Sequence, residues 1–409
     1  MFELPIVIGL SPNTGVDDYF LTLKLLFQPW KWKQGQEIEK VETWFKDYFR
    51  THSAVAFNAG RSALLAILSA LEIDHGDEVL VQAFTCVAVP NCVLWCGAKP
   101  IFIDIDKTLN IDIGDAEKKI TTKTKALIVQ HTFGVPADLD KITKFCKKHQ
   151  IFLIEDCAHA LGATYKGKLA GTFGEAAFFS FGRDKIVSSI FGGVAITGNK
   201  DLGIKIDNYR KELRFPNSFW ILRQLFHPLM CAIILPIYNI FGLGKALLFI
   251  AQKLKLLSFP VYQEEKNGER PTDFPRQYPS ALAQLAMNQL QKLKKMNTRR
   301  KHIVKLYFEK INKSDIKLPE KNSGAVYLRF NVATHRVDEL RFKAKKKGII
   351  LGNWYHTVID PIGVVMEKIG YAFGSCPKAE NASRMSLNLP TYPRLTDKQV
   401  ESICSIIQQ

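Results

Sequence analysis

Short apolar runs, bounded by acid, glycine or turn residues, alternate along this chain with longer stretches whose apolar positions recur every three or four residues. The short runs lie at 55–57, 78–81, 100–103, 126–129, 151–154, 176–179 and 193–197 and read as buried strands. The longer stretches include 35–49, where Ile38, Val41, Phe45 and Phe49 share one face, together with 87–96 and 138–149. Such alternation predicts an α/β domain on a mostly parallel sheet, with helices on both faces and chemistry at the strand ends. Beyond Ser280, the spacing of Leu282, Ala286, Leu290, Leu293, Met296, Ile303, Tyr307 and Ile311 predicts one long amphipathic helix. A smaller domain follows, with a strand at 325–332, a helix at 336–347 and a closing helix from Thr396.

One stretch breaks the alternation. Residues 219–250 are intensely apolar, and no Asp, Glu, Lys or Arg stands between Arg223 and Lys245. At a rise of ~1.5 Å per residue the run reaches roughly 30 Å, the thickness of a bilayer core. Pro228, Pro236, Gly242 and Gly244 interrupt it, as do His227 and Asn239, and a single crossing would put the two halves of one domain on opposite sides. Two readings remain: helices lying on a membrane surface, or a helical hairpin in an oligomer interface. Arg210, Lys211, Arg214, Arg223, Lys245, Lys253 and Lys255 at its edges favour anionic lipid. The expected organisation is a large domain over 1–215, an apolar helical insertion over 216–262, a connecting helix over 263–312 and a small domain over 313–409.

Composition sharpens this picture in three places. With 56 Lys and Arg against 39 acids, the 409-residue chain carries +17 and should attract anions, whether nucleotide, nucleic acid or lipid head group. The Lys-rich run near 292–305 reads as the solvated face of the long helix, and with no nucleic-acid motif beside it, nucleic acid is not an expected partner. The first ten residues lack the basic region of a secretory signal, so the expected location is the cytoplasm, at the inner face of the membrane if 219–250 lies on lipid. The eight cysteines form no CxxC pair. Cys92 and Cys96, with Cys86 one turn back, read as buried free thiols, and no metal is expected.

Candidate chemistry sits where three of the strands end. Asp156 closes the run at 151–154, Ser180 closes that at 176–179, and Lys185 lies in the loop before 193–197. A carboxylate, a hydroxyl and an amine at neighbouring strand ends suit pyridoxal 5′-phosphate: the amine takes the aldehyde carbon, the carboxylate keeps the ring nitrogen protonated, and the hydroxyl helps hold the phosphate. Upstream, Asn58-Ala59-Gly60-Arg61-Ser62 opens an apolar helix whose first-turn amides and Ser62 hydroxyl suit a phosphate as well as an ordinary cap. Lys185 downstream favours the phosphate.

The words NAGRSALLAIL, GDEVLVQAFTCVA, GAKPIFIDID, HTFGVPADLD, IEDCAHALGATYKGK, FFSFGRDK and SLNLPTYPRLT occur in that order over most of the chain. In them the sequence resembles the DegT/DnrJ/EryC1/StrS sugar aminotransferases. The resemblance implies the aspartate aminotransferase fold (type I), with a mixed seven-stranded sheet in the large domain and a smaller C-terminal α/β domain. It also implies a homodimer that uses pyridoxal 5′-phosphate to move an amino group, from glutamate, onto a nucleotide-linked keto-sugar, for cell-surface polysaccharide or secondary-metabolite sugars.

Carried onto this chain, Lys185 and Asp156 are the catalytic pair, and Gly60, Arg61, Ser62, Cys86, His159, Ser180 and Arg276 complete the cofactor site. Cys86 stands where the family has an aromatic ring, which leaves the stacking role to Phe84 or to a looser fit. His159 matches the position beside the cofactor's hydroxyl. Gly182 replaces a histidine in the lysine loop, whereas Lys185 is kept, which favours transamination over dehydration. Arg276 and Tyr278 replace an Asn and an Arg that reach the neighbouring subunit's phosphate. Trp354, Tyr355 and His356 match a region near the substrate. Two alternatives follow from these departures and from the insertion: a regulator that retains the fold without its catalysis, and a membrane-surface scaffold.

Overall fold

The computed structural model describes residues 5–10, 12–238, 241–253, 256–257 and 259–409. Asn239 and Lys255, assigned above to the apolar run and its basic edge, lie outside the described residues, as do residues 1–4 of the N-terminal run.

Seven strands form the central sheet: β1 (Ser53–Phe57), β2 (Glu78–Gln82), β3 (Lys99–Ile103), β4 (Thr124–Gln130), β5 (Phe152–Asp156), β6 (Ala176–Ser180) and β7 (Gly193–Thr197). Their order is β1-β7-β6-β5-β4-β2-β3. All neighbours are parallel except β7, which runs antiparallel to both β6 and β1, so the sheet is mixed as expected. Successive side chains point to opposite faces. Phe178 therefore joins one core, with helices α3 (Gly60–Ala70) and α4 (Ala88–Trp95), while Phe179 joins the other, with α1 (Val16–Leu26) and α2 (Glu37–Phe49). Cys86 sits in a two-residue strand ahead of α4, apart from the helix that carries Cys92.

The apolar insertion folds as α5 (Ser218–Ile234) and α6 (Leu243–Lys253). Asn217 caps α5 by accepting the Trp220 N–H at 2.7 Å, and Trp220, Ile221 and Leu225 sink into the core beside Leu25, Phe191 and Phe274. Among the described residues no helix is long and apolar enough to cross a membrane.

The stripe beyond Ser280 is two helices, α7 (Ser280–Leu290) and α8 (Leu293–Lys310), rather than one. Leu282, Ala286, Leu290 and Leu293 serve the large-domain core, whereas Ile303 and Tyr307 serve the small domain's, so the buried face changes partner along α8. In that smaller core the antiparallel pair Arg329–Ala333 and Ser386–Pro390 packs with the helices Val337–Lys346 and Asp397–Ile407. Its first strand starts later than the sequence suggests, because Tyr327 adopts a left-handed φ of 48°. The chain's own start joins this domain: Ile6 and Val7 pair in parallel with Ile349 and Ile350.

Trp220 tests whether α5 is an integral part of the core. Its indole is almost fully buried and donates to the Tyr262 hydroxyl at 3.0 Å. Trp220→Ala is expected to cost about 3–5 kcal/mol, read from the denaturant midpoint, and an unchanged midpoint would mean that α5 is not docked.

Candidate active site

The C-terminal ends of β5 and β6, the start of α3 and the loop after β6 enclose a cavity of about 330 Å³. Pairing of Phe178 with Asp156 sets Ser180 just beyond the carboxylate on the neighbouring strand. Gly60, Arg61, Cys86, Asp156, His159, Ser180 and Lys185 all line this space.

Gly60 is required by contact. A Cβ there would stand 2.9 Å from the Ser180 Cβ and 3.3 Å from the Phe179 carbonyl oxygen. Gly193 on β7 is pressed equally hard, since its Cβ would lie 2.5 Å from the Gly60 nitrogen. The bare backbone brings the first turn of α3 up to the cavity beside the Ser180 hydroxyl, a helix terminus suited to an anion. The Ser62 hydroxyl turns away instead, donating to Asn58 Oδ1 at 2.8 Å. The Arg61 guanidinium forms an ion pair with the buried Glu265 carboxylate and lies 4.8 Å from the Phe274 ring centroid. Arg276 lines no part of the cavity: its side chain donates to the Thr272 carbonyl and its backbone N–H to Asn58. Tyr278 is likewise committed to the core, with Ser189 at 2.7 Å and the Leu282 carbonyl at 3.0 Å.

Asp156 is 4% exposed and accepts the Ala158 N–H at 2.9 Å. Burial pushes its carboxyl pKa up, against the pull of that N–H, Lys185 and His131. Burial lowers the Lys185 pKa, opposed by Cys86, Asp156 and Asp184 and reinforced by Arg329. The Lys185 amine lies 5.2 Å from the Trp354 ring centroid. Asn13 fixes its loop by donating to the Lys185 carbonyl, and to that of Ile186 at 3.3 Å, while Arg300 holds Asn13 at 2.7 Å. Beneath Asp156, the Glu155 carboxylate is saturated by the Gly171, Phe173 and Gly174 N–H groups and by His131 at 3.1 Å.

His159 stacks between Phe133 at 5.9 Å and Trp354 at 5.7 Å. Its Nδ1 accepts the Phe133 N–H at 3.3 Å, which leaves Nε2 to carry the proton of the neutral ring. Burial, Lys185 and Arg329 all hold its pKa well below the usual histidine value. Phe84 does not reach over: it packs edge-on against Phe133 and Tyr355 behind the cavity wall. Trp354 and Tyr355 line the cavity, whereas His356 faces Asn353 outside it. Sequence reasoning missed Gln130, Asp360 and Lys266, which also line it. The signal for Asp360 was the same as for Asp156, an acid closing an apolar pair, here Val358 and Ile359. Burial pushes its carboxyl up to about 6.

The cavity fits pyridoxal 5′-phosphate. The Gly60 cradle beside Ser180 is open only because no Cβ fills it, Asp156 accepts one backbone N–H within the chain, and Lys185 has no carboxylate within ion-pair distance among the described residues. A sequence profile of the DegT/DnrJ/EryC1/StrS aminotransferase family matches residues 20–213 and 278–408 and leaves out 214–277, the insertion with its return limb. A GDP-perosamine synthase from Escherichia coli O157:H7 is 28% identical, over 93% of this chain and 92% of that protein. One from Caulobacter vibrioides is 36% identical over 54% of this chain and 60% of its own. The crystal structure of DesV from S. venezuelae superposes with a TM-score of 0.72 at 26% identity, covering 96% of this chain and 93% of that one.

A neutral buried histidine makes stability fall with acid. The unfolded ring takes a proton below about pH 6.5 and the folded one does not, so stability is complete above that pH and is lost as pH drops through it, by up to about 1.4 kcal/mol per pH unit. His159→Gln removes one such group, and a flatter melting-temperature profile between about pH 6.5 and 5 is the expected outcome. An unchanged slope would mean that His159 titrates normally.

Proposed function

The chain belongs to the DegT/DnrJ/EryC1/StrS aminotransferase family and is a pyridoxal 5′-phosphate-dependent aminotransferase, and from that premise we propose that its acceptor is a nucleotide-linked keto-sugar and its amino donor glutamate. The observation that carries the reading is one cavity shared by Lys185, Asp156 and the Gly60 cradle. The acceptor class is supported by relatives named for such sugars, GDP-perosamine synthases and a UDP-N-acetyl-3-dehydro-alpha-D-glucosamine 3-aminotransferase of Acidithiobacillus ferrooxidans. The same convergence of groups weighs against a regulator without catalysis.

Bound there, the cofactor supplies an electron sink for the carbon that carries the migrating nitrogen. The Lys185 amine, enriched in its neutral form by burial, takes and returns the proton of that carbon. Asp156 is the anionic partner of a protonated ring nitrogen, and His159 donates through Nε2 to the ring's hydroxyl. The first-turn amides of α3 and the Ser180 hydroxyl receive the phosphate. A second copy of the chain is the proposed partner in a homodimer.

Lys185→Ala should lose the visible band that wild type shows with added cofactor, and borohydride should fix the label to Lys185 alone. An equal band in the variant would overturn the assignment. Asp156→Ala should keep the fold and lower kcat with glutamate and a nucleotide-linked keto-sugar about 10²–10⁴-fold.

We also read 219–250 as a peripheral contact with anionic lipid at the inner membrane face. Residues 213–263 hold five Lys and Arg and no acid. Phe219, Phe226 and Ile233 recur every seven residues on α5 as exposed side chains; Leu243, Phe249 and Ile250 are exposed on α6, and Phe241 before it is 98% exposed. An interface between two copies would set this acid-free patch against itself, like charge facing like, which favours lipid as the occupant. Phe241→Ser/Phe249→Ser should abolish flotation with phosphatidylcholine vesicles carrying phosphatidylglycerol, and Lys245→Gln/Lys253→Gln should weaken it about 30-fold at low salt. Equal flotation of all variants, or a halved mass in the Phe variant without any vesicle binding, would overturn it.

A further inference from the structure

The return limb of the insertion brings a cation to the cavity that the chemistry above does not use. Lys266 closes the short helix Gln263–Lys266 and lines the cavity together with Pro260 and Val261. This limb lies within 214–277, outside the residues that the family profile matches.

Among the described residues, four cationic side chains line the cavity: Arg61, Arg183, Lys185 and Lys266. Arg61 is neutralised by Glu265, Arg183 stands 3.7 Å from the Asp184 carboxylate, and Lys185 is the cofactor lysine. The Lys266 amine donates to the Ile362 carbonyl at 3.0 Å and, among the described residues, has no carboxylate within ion-pair distance. An ammonium has three donors, so two remain for an anion. Asp360, which also lines the cavity, feels the Lys266 charge but stands beyond ion-pair distance of it. Ile362 is 58% exposed, which sets the amine at the cavity mouth rather than in the cradle of Gly60 and Ser180.

We propose that Lys266 is a specificity-determining residue that binds the diphosphate of the acceptor, an inference that rests on the acceptor class proposed above. A lysine serves such a group as a movable point charge, which suits a flexible diphosphate reaching a site from solvent. Both the cofactor and the acceptor carry phosphoryl oxygens. Position at the mouth assigns Lys266 to the acceptor.

The test uses the cofactor-loaded protein with GDP, UDP and inorganic pyrophosphate as probes in calorimetric titration. Lys266→Met should weaken diphosphate binding about 10–100-fold, the range for a lost charge-assisted hydrogen bond, and Lys266→Arg should restore most of it. Cofactor affinity, followed by absorbance, should stay within about twofold in both variants, since the cradle is untouched. Unchanged diphosphate affinity in Lys266→Met overturns the proposal, as does a loss confined to cofactor affinity, which would assign the amine to the cofactor's phosphate. Wild-type protein that accepts nitrogen from glutamate but binds neither GDP nor UDP would overturn the acceptor class itself.

Discussion

A carboxylate and an amine held in one cavity, both largely withdrawn from water and neither neutralised by a close ion pair, are the constraint on which the rest of this site depends. Burial pushes Asp156 and Lys185 each toward its neutral form, while their mutual attraction pulls each back. Only a rigid frame keeps such a pair apart and ready for a polar occupant. The parallel register of β5 with β6 supplies that frame, and the saturated Glu155 carboxylate beneath it leaves no slack. On the far side, antiparallel β7 presses Gly193 against Gly60 and so fixes the start of α3.

The parts of this arrangement legible in the sequence were those that local pattern encodes. Period and turn residues located every strand of the sheet, and because chemistry in a parallel sheet collects at strand ends, Asp156 and Ser180 followed from where the apolar runs stop. Resemblance then singled out His159 and Cys86, which the structure also brings to the cavity wall. What local pattern does not encode is direction. Ser62 sits in the right turn, yet its hydroxyl bonds back to Asn58, and the stripe beyond Ser280 has the right period but changes cores between Leu293 and Ile303. Periodicity reports that a face is buried and is silent on what it is buried against.

Long-range partners were the other blind spot. Asn13 reaches the lysine loop across 172 residues, and Glu265 reaches Arg61 across 204. Neither carries a local signature: an Asn near a Pro reads as a turn, and an acid in a polar segment reads as solvated. In the fold both are almost fully buried.

The pair of Arg61 with Glu265 also decides how the insertion relates to catalysis. The helices α5 and α6 stand outside the family match, but their return limb is fastened to the cavity wall: Asn91 donates to the Glu265 carbonyl at 2.8 Å and the Trp95 indole to that of Gly268 at 3.0 Å. Removing the limb would take from the Arg61 guanidinium, beside the start of α3, its carboxylate partner Glu265 and the Phe274 ring that covers it. Among the described residues the outer turns of the insertion carry no such bond, and Phe241, Leu243 and Phe249 face solvent. The segment is therefore divided into an exposed apolar tip and a limb bonded to the wall of the cavity. Loss of activity after deletion of the whole segment would thus report a disturbed Arg61 as readily as the loss of the proposed lipid contact, whereas substitutions at the tip separate the two.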